Sequence, residues 1–254
     1  STFDPARKKV LLGLDVSTKY TRRTTAEFQK IASYIQQVTA AKAGNYLAFF
    51  PSYKMMTDVK EYFDELKTQI EGFHKRLFIE EESVYSHIFF VEPGEKNRVP
   101  WGRGNGWIML ALVEILTNLP KDEPDYVYFA ERFRVFAAGV RALQAESGMW
   151  RQVLDKEEAY EETSCTAMYS LSFLTGIRLG LLPEEGYRQA AEKGIAALLR
   201  YSVDRQGNVL GVCRGSSCSM DYHYYLKLGT AFNDDHGTGI ILWALSELLK
   251  TENT

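Results

Sequence analysis

The 254-residue chain carries 30 Lys+Arg against 33 Asp+Glu, a formal net charge of -3, and 45% of it is hydrophobic. That length can bury a sizeable core as one large domain or two smaller ones, and the near balance of charge argues against a dedicated nucleic-acid or membrane surface. No apolar run reaches the roughly 20 residues of a membrane span, and the first residues lack the layout of a secretory signal, so the chain reads as soluble and cytoplasmic.

Taken in chain order, residues 9–16 form a short apolar run that ends in the Ser17-Thr18 turn, and residues 45–51 form a second run closed by Pro51. Both have the pattern of buried strands. Between them Phe28, Ile31, Ala32, Ile35 and Val38 recur at three- and four-residue spacing, with Gly44 as a C-cap, which predicts a helix over 24–43. The result is a small α/β segment of β-α-β order, followed by a helix from 52 to 67 that continues into 68–77. Leu14-Asp15-Val16-Ser17-Thr18-Lys19-Tyr20 and Gly44-Asn45-Tyr46-Leu47-Ala48-Phe49-Phe50-Pro51-Ser52-Tyr53 resemble the start of the second motor domain of DinG-type, superfamily 2 DNA helicases. The resemblance covers residues 1–60. It implies a non-working fragment, because the chain has no GxxxxGK[ST] phosphate loop, no acidic magnesium motif and no cysteine set for an iron–sulfur cluster.

All four histidines, all four tryptophans and all three cysteines lie after Phe73. This marks a composition boundary, and the chain divides on this reading into a segment over 1–65 and a helical domain over 66–254. Within that domain, Gly106-Trp107-Ile108-Met109-Leu110-Ala111-Leu112-Val113-Glu114-Ile115-Leu116 aligns without gaps on Gly239-Ile240-Ile241-Leu242-Trp243-Ala244-Leu245-Ser246-Glu247-Leu248-Leu249, and residues 166–174 form a similar apolar helix midway. Turns at 82–85, 146–150 and 205–209 recur about 60 residues apart, each before a short extended stretch. Amphipathic helices fill the gaps at about 126–146 and 183–201. The prediction is a mainly α fold, about three hairpins of a six-hairpin (α/α)6 toroid. A toroid cut in half exposes apolar helix faces that favour self-association. Cys165, Cys213 and Cys218 have no paired spacing, which predicts buried free thiols, no metal site and no cofactor.

The run over 99–107 puts Trp101, Arg103, Trp107 and three glycines just ahead of an apolar helix. An indole offers a flat apolar face and one N–H donor to a sugar, and a guanidinium matches a carboxylate in a bidentate way. A glycine-rich turn packed on tryptophan accounts for the same residues without any ligand. The run stands in order with Tyr85-Ser86-His87, Gly148-Met149-Trp150-Arg151-Gln152-Val153-Leu154-Asp155, Glu162-Thr163-Ser164-Cys165-Thr166-Ala167-Met168 and Asn233-Asp234-Asp235-His236-Gly237-Thr238-Gly239. From about 72 to 249 the chain thereby resembles the C-terminal half of the unsaturated glucuronyl and rhamnogalacturonyl hydrolases, glycoside hydrolase families 88 and 105.

That resemblance implies an oligosaccharide substrate ending in an unsaturated uronic acid. In such enzymes an acid protonates C4 of the C4=C5 double bond, water adds at C5, and the hemiketal opens to release the next sugar. It also implies that His87, Trp101, Arg103 and Trp107 line the site, with Trp150 and Glu162 at its rim or behind it. The family's general acid is an aspartate of the N-terminal half, and no residue here inherits it, so the resemblance implies weak activity or none. A sugar-binding protein without catalysis and a helicase-derived nucleic-acid binder remain alternatives. His236, behind Asp234 and Asp235, reads as part of a helix cap. The aromatic loop at 221–225 could border a sugar site but reads rather as packing, and the Glu80-Glu81-Glu82 run reads as a solvated turn.

Overall fold

The computed structural model of the chain describes residues 16–41, 50–60 and 66–252, and it divides the chain into two units, Ser1–Gly72 and Phe73–Thr254. In the first, a 3₁₀ turn at Tyr20–Arg22 precedes α1 (Thr25–Ala41), and α2 (Tyr53–Lys60) packs on α1. Ala32 and Val59 are buried among Phe28, Ile31, Ile35 and Phe50, which is the stripe read from the spacing except for Val38, which is exposed. The two strands expected at 9–16 and 45–51 fall almost wholly outside the described residues. The helix expected over 52–67 is represented by α2, and α3 (Leu66–Leu77) straddles the division between the units.

The second unit is organised by α6 (Thr163–Arg178), whose residues 163–176 are all buried. A helix enclosed on every side needs no polar face. Around it pack α4 (Gly102–Asn118), α7 (Glu184–Ala197) and α9 (Asp235–Glu252), with the short α8 (Tyr222–Leu226) ahead of α9, while α5 (Pro124–Ala142) covers α4 from outside. The aligned segments at 106–116 and 239–249 are therefore α4 and α9, and 166–174 lies within α6. The outer helices depart from expectation at their ends. Gly186 at φ 79° breaks the first turn of α7, and the helix closes in a π-helical turn at Leu198–Ser202. Among the described residues no helix is long and apolar enough to cross a membrane.

Among the described residues, eight two-residue strands form four antiparallel ladders: β1 (Phe78–Ile79) with β2 (Val84–Tyr85), β3 (Phe89–Phe90) with β4 (Glu95–Lys96), β5 (Trp150–Arg151) with β6 (Glu161–Glu162), and β7 (Val212–Cys213) with β8 (Thr230–Ala231). Further bonds join these ladders into a belt. His87 N–H donates to Val99 O (2.9 Å), Gly102 N–H to Gln152 O (2.8 Å) and Thr163 N–H to Gly211 O (3.1 Å), and Trp101 bridges Val153. The belt runs past the N-termini of α4 and α6. The recurring turns enter it through left-handed residues, Ser83 (φ 54°), Gly148 (φ 99°) and Gly207 (φ 82°).

Two glycines one helical turn apart set the distance between α4 and α6. A Cβ on Gly102 would lie 2.7 Å from Arg151 O and 2.9 Å from Cys165 Sγ, and one on Gly106 would collide with Met168. Tyr169 of α6 uses the closeness to donate its hydroxyl to Gly102 O (2.6 Å). Alanine is the better helix former by up to about 1 kcal/mol, but here the backbone contact decides. Gly102→Ala is expected to lower stability by about 1–3 kcal/mol, measured by urea unfolding. A variant as stable as the parent would show that the helices are not held at this separation.

Candidate functional site

Asn105 registers the site. It sits in the first turns of α4, where asparagine is a poor helix former, and its side chain pairs with a strand instead. Tyr85 N–H donates to Asn105 Oδ1 (2.8 Å), and Asn105 Nδ2 donates to Tyr85 O (2.8 Å) and Trp101 O (3.1 Å). This fixes β2, and hence His87 two residues on, against the start of α4. The imidazole of His87 lies 4.7 Å from the Trp101 ring between centroids, and the Arg103 guanidinium lies 5.3 Å from the same indole, a cation–π distance. One helical turn beyond Arg103 comes Trp107, 46% exposed, with His236 edge-on to it at 6.1 Å. His87, Trp101, Arg103, Trp107 and His236 thus form a continuous row.

The row is rich in donors that lack acceptors. Arg103 is 3% exposed and Trp101 9% exposed, yet among the described residues neither Arg103 Nη1 nor Trp101 Nε1 has a hydrogen-bond partner. Each buried polar group left unpaired costs about 1–3 kcal/mol, more where it is charged. The first turn of α4 adds to this character, because Trp101 at its N-cap provides no side-chain cap and the positive end of the helix dipole remains open. Burial drives the pKa of His87 down to about 4, so its ring is neutral near pH 7. Asp234 shows the opposite balance. Burial works against its charge, but hydrogen bonds from the His236 ring (2.7 Å) and N–H (2.9 Å), together with the Arg103 charge, hold its carboxyl below the ordinary range. The expected helix-cap role of His236 is present, and the same residue also borders Trp107.

Two of the residues implied by the resemblance lie behind this row rather than on it. Trp150 is 0% exposed, stacks edge-on against Tyr169 and Phe173, and donates its indole N–H to Val140 O (2.7 Å). A rim position is therefore corrected to a core one, since no face of the ring reaches solvent. Glu162 is also fully buried, and its carboxylate accepts from the N–H groups of Ser164 (3.1 Å), Cys165 (2.7 Å) and Cys213 (2.9 Å) and from Ser164 Oγ (2.8 Å). It caps α6 and ties β7 to that cap. Of the thiols expected to be buried, Cys165 and Cys213 are, whereas Cys218 is exposed. Burial and the Glu162 charge push the Cys165 thiol well above its ordinary value, which leaves it inert.

Sequence reasoning passed over Asn97 and took Tyr225 only as one member of the aromatic loop at 221–225. Asn97 Oδ1 accepts from Ser86 Oγ (2.7 Å), and Nδ2 donates to Tyr225 Oη (2.9 Å), which is 2.8 Å from His87 Nδ1. The aromatic loop at 221–225 does pack, as read, but through Tyr225 it also reaches the site. No spacing rule joins residues 128 positions apart.

The low pKa of His87 fixes a pH dependence of stability. Unfolded imidazole, with a value of about 6.5, takes up a proton as pH falls while the folded ring stays neutral. Stability should be unaffected by this group above about pH 6.5 and should fall between about pH 6.5 and 4 by up to about 1.4 kcal/mol per unit. His74, lowered to about 4 by burial and then by Arg132 and Lys96, acts in the same direction but is more exposed and better screened. Unfolding free energies of the parent and His87→Gln should converge on acidification, and parallel profiles would show that His87 is not buried as a neutral ring.

A sequence profile described as Glycosyl Hydrolase Family 88 matches residues 46–252, and the helicase resemblance expected over residues 1–60 is not shown. Protein Atu3128 of Agrobacterium fabrum is 35% identical over 172 residues, 61% of this chain and 73% of that protein. The unsaturated 3S-rhamnoglycuronyl hydrolase of Formosa agariphila is 27% identical over 212 residues, 79% of this chain and 54% of the relative. The unsaturated rhamnogalacturonyl hydrolase YesR of Bacillus subtilis is 25% identical over 194 residues, 76% of this chain and 54% of the relative. The chain thus spans about half the length of those two hydrolases. Among solved structures, a possible member of the GH105 family from Klebsiella pneumoniae superposes with a TM-score of 0.72 at 20% identity, over 90% of this chain and 71% of that one. A glycosyl hydrolase family 88 protein from Bacteroides vulgatus gives 0.65 at 21% identity, over 89% and 74%. These neighbours are α/α toroids, and the mainly helical fold agrees with theirs. The chain belongs to Glycosyl Hydrolase Family 88.

Proposed function

We propose that the row His87, Trp101, Arg103 and Trp107 binds the terminal unsaturated uronic acid of an oligosaccharide, with Trp150 and Glu162 as its buried support. The observation that carries this reading is the pair of buried donors without acceptors, Arg103 Nη1 and Trp101 Nε1. A carboxylate supplies acceptors and charge to both, and the exposed ring of Trp107 offers a stacking face for the sugar. Relatives whose names state action on unsaturated uronyl sugars support the substrate class. The helices α4 to α9 are read as about three hairpins of a partial toroid. Leu242 and Trp243, exposed on α9, form the face on which a second copy of the chain associates.

Turnover is a separate matter from binding. Hydration of the C4=C5 bond needs a proton delivered to C4, and a positioned donor contributes about 10²- to 10⁴-fold. His87 is held neutral with a low pKa and Asp234 is held ionised, so neither gives up a proton readily near neutral pH. We read the chain as binding its sugar acid with little or no hydrolysis on its own.

Titration calorimetry with an unsaturated digalacturonide tests this. Micromolar to millimolar binding is expected, weakened about 10- to 100-fold in Arg103→Ala, the loss of one charge-assisted hydrogen-bond pair. The ultraviolet absorbance of the conjugated acid should persist on incubation. Equal binding of an uncharged disaccharide would overturn the uronate reading, and rapid loss of absorbance would overturn the claim of weak turnover.

A further inference from the structure

We infer that Tyr225, held by Asn97, is a positioning residue that keeps the proton of His87 on Nε2 and so makes the imidazole a donor toward the site. The orientation of the Asn97 amide is settled by its backbone partners. Oδ1 accepts from Ile88 N–H (3.3 Å) and Val99 N–H (3.2 Å), and Nδ2 donates to Ser219 O (2.9 Å). Flipping the amide would place donor against donor and acceptor against acceptor. With Nδ2 fixed as a donor, its second bond runs to Tyr225 Oη (2.9 Å), which therefore accepts.

The phenol must then place its own proton. Tyr225 is fully buried; hydrogen bonds from Ser219 and Ser216 reach its oxygen as donors, and the nitrogen placed to accept its proton is His87 Nδ1 at 2.8 Å. Were Nδ1 protonated, two donors would converge on one phenolic oxygen and the buried O–H would have no acceptor. The consistent arrangement is Asn97 Nδ2–H to Tyr225 Oη, and Tyr225 O–H to His87 Nδ1, leaving the His87 proton on Nε2. The rings meet edge-on at 5.5 Å, so the phenol lies beside the imidazole edge that carries Nδ1. His87 Nε2 makes no hydrogen bond among the described residues. It joins Trp101 Nε1 and Arg103 Nη1 as a third donor of the row, and only this last step rests on the uronate reading.

Long-range proton–nitrogen correlation spectra of the labelled full chain near neutral pH report the tautomer directly. A single Nε2–H form of His87 is expected. A predominant Nδ1–H form, or an averaged mixture, overturns the inference with no variant needed. Tyr225→Phe keeps the ring and removes the phenolic proton, so it should scramble the tautomer and weaken binding of the unsaturated digalacturonide about tenfold. A folded variant that retains both the Nε2–H form and full affinity also overturns it. If Tyr225→Phe fails to fold, the parent spectrum still decides. A parent that shows Nε2–H but binds no uronide leaves the positioning role intact and overturns the proposed ligand instead, whereas uronide binding by an Nδ1–H histidine does the reverse.

Discussion

The close approach of α4 and α6 governs the rest of the second unit. Gly102 and Gly106 face α6 without side chains, and the space they leave is taken by Arg151 O, Cys165 and Met168. That contact places the N-terminus of α4 beside the belt of short strands, where Gly102 N–H and Trp101 become part of the ladder with residues 152–154. Arg103 and Trp107 then project from a helix whose position is set by backbone rather than by flexible side chains. A site held this way has little freedom to turn its donors onto other protein groups, and Arg103 Nη1 and Trp101 Nε1 stay without partners among the described residues.

The buried carboxylate of Glu162 complements this contact from the other side. Removing a carboxylate from water is costly unless its lone pairs are met, and four donors from α6 and β7 meet them. The same bonds hold two segments far apart in sequence, so the charge is spent on registration rather than chemistry. Glu162 and Arg103 therefore illustrate two ways of burying a charge in one fold. The first is saturated with partners inside the protein, and the second keeps a donor open.

Much of the architecture was legible in the residues. Helices α1, α4, α5, α6 and α9 follow apolar spacings that neighbouring residues create by themselves. The turns at Ser83, Gly148 and Gly207 are visible from their recurrence, and the Trp101-to-Trp107 run stands out by its residue types. The helix breaks in α7 were not legible, since a left-handed Gly186 and a π-helical ending answer to packing and not to composition. The strands proposed around α1 concern residues outside the described ones.

The sequence by itself determined where most of the helices run, which residues bring indole, guanidinium and imidazole groups together in short motifs and to which family they correspond, because periodicity, residue type and motif order are local properties of the chain. Tertiary structure alone decided which of those residues reach the site. Trp101 and Trp150 are both indoles beside glycine, yet one keeps an open N–H and the other donates to Val140 deep in the core. It also decided that His87 is neutral and that Asn97 and Tyr225 stand behind it. Burial and proton placement are set by neighbours that folding brings from more than a hundred residues away, and such neighbours leave no mark on the local pattern.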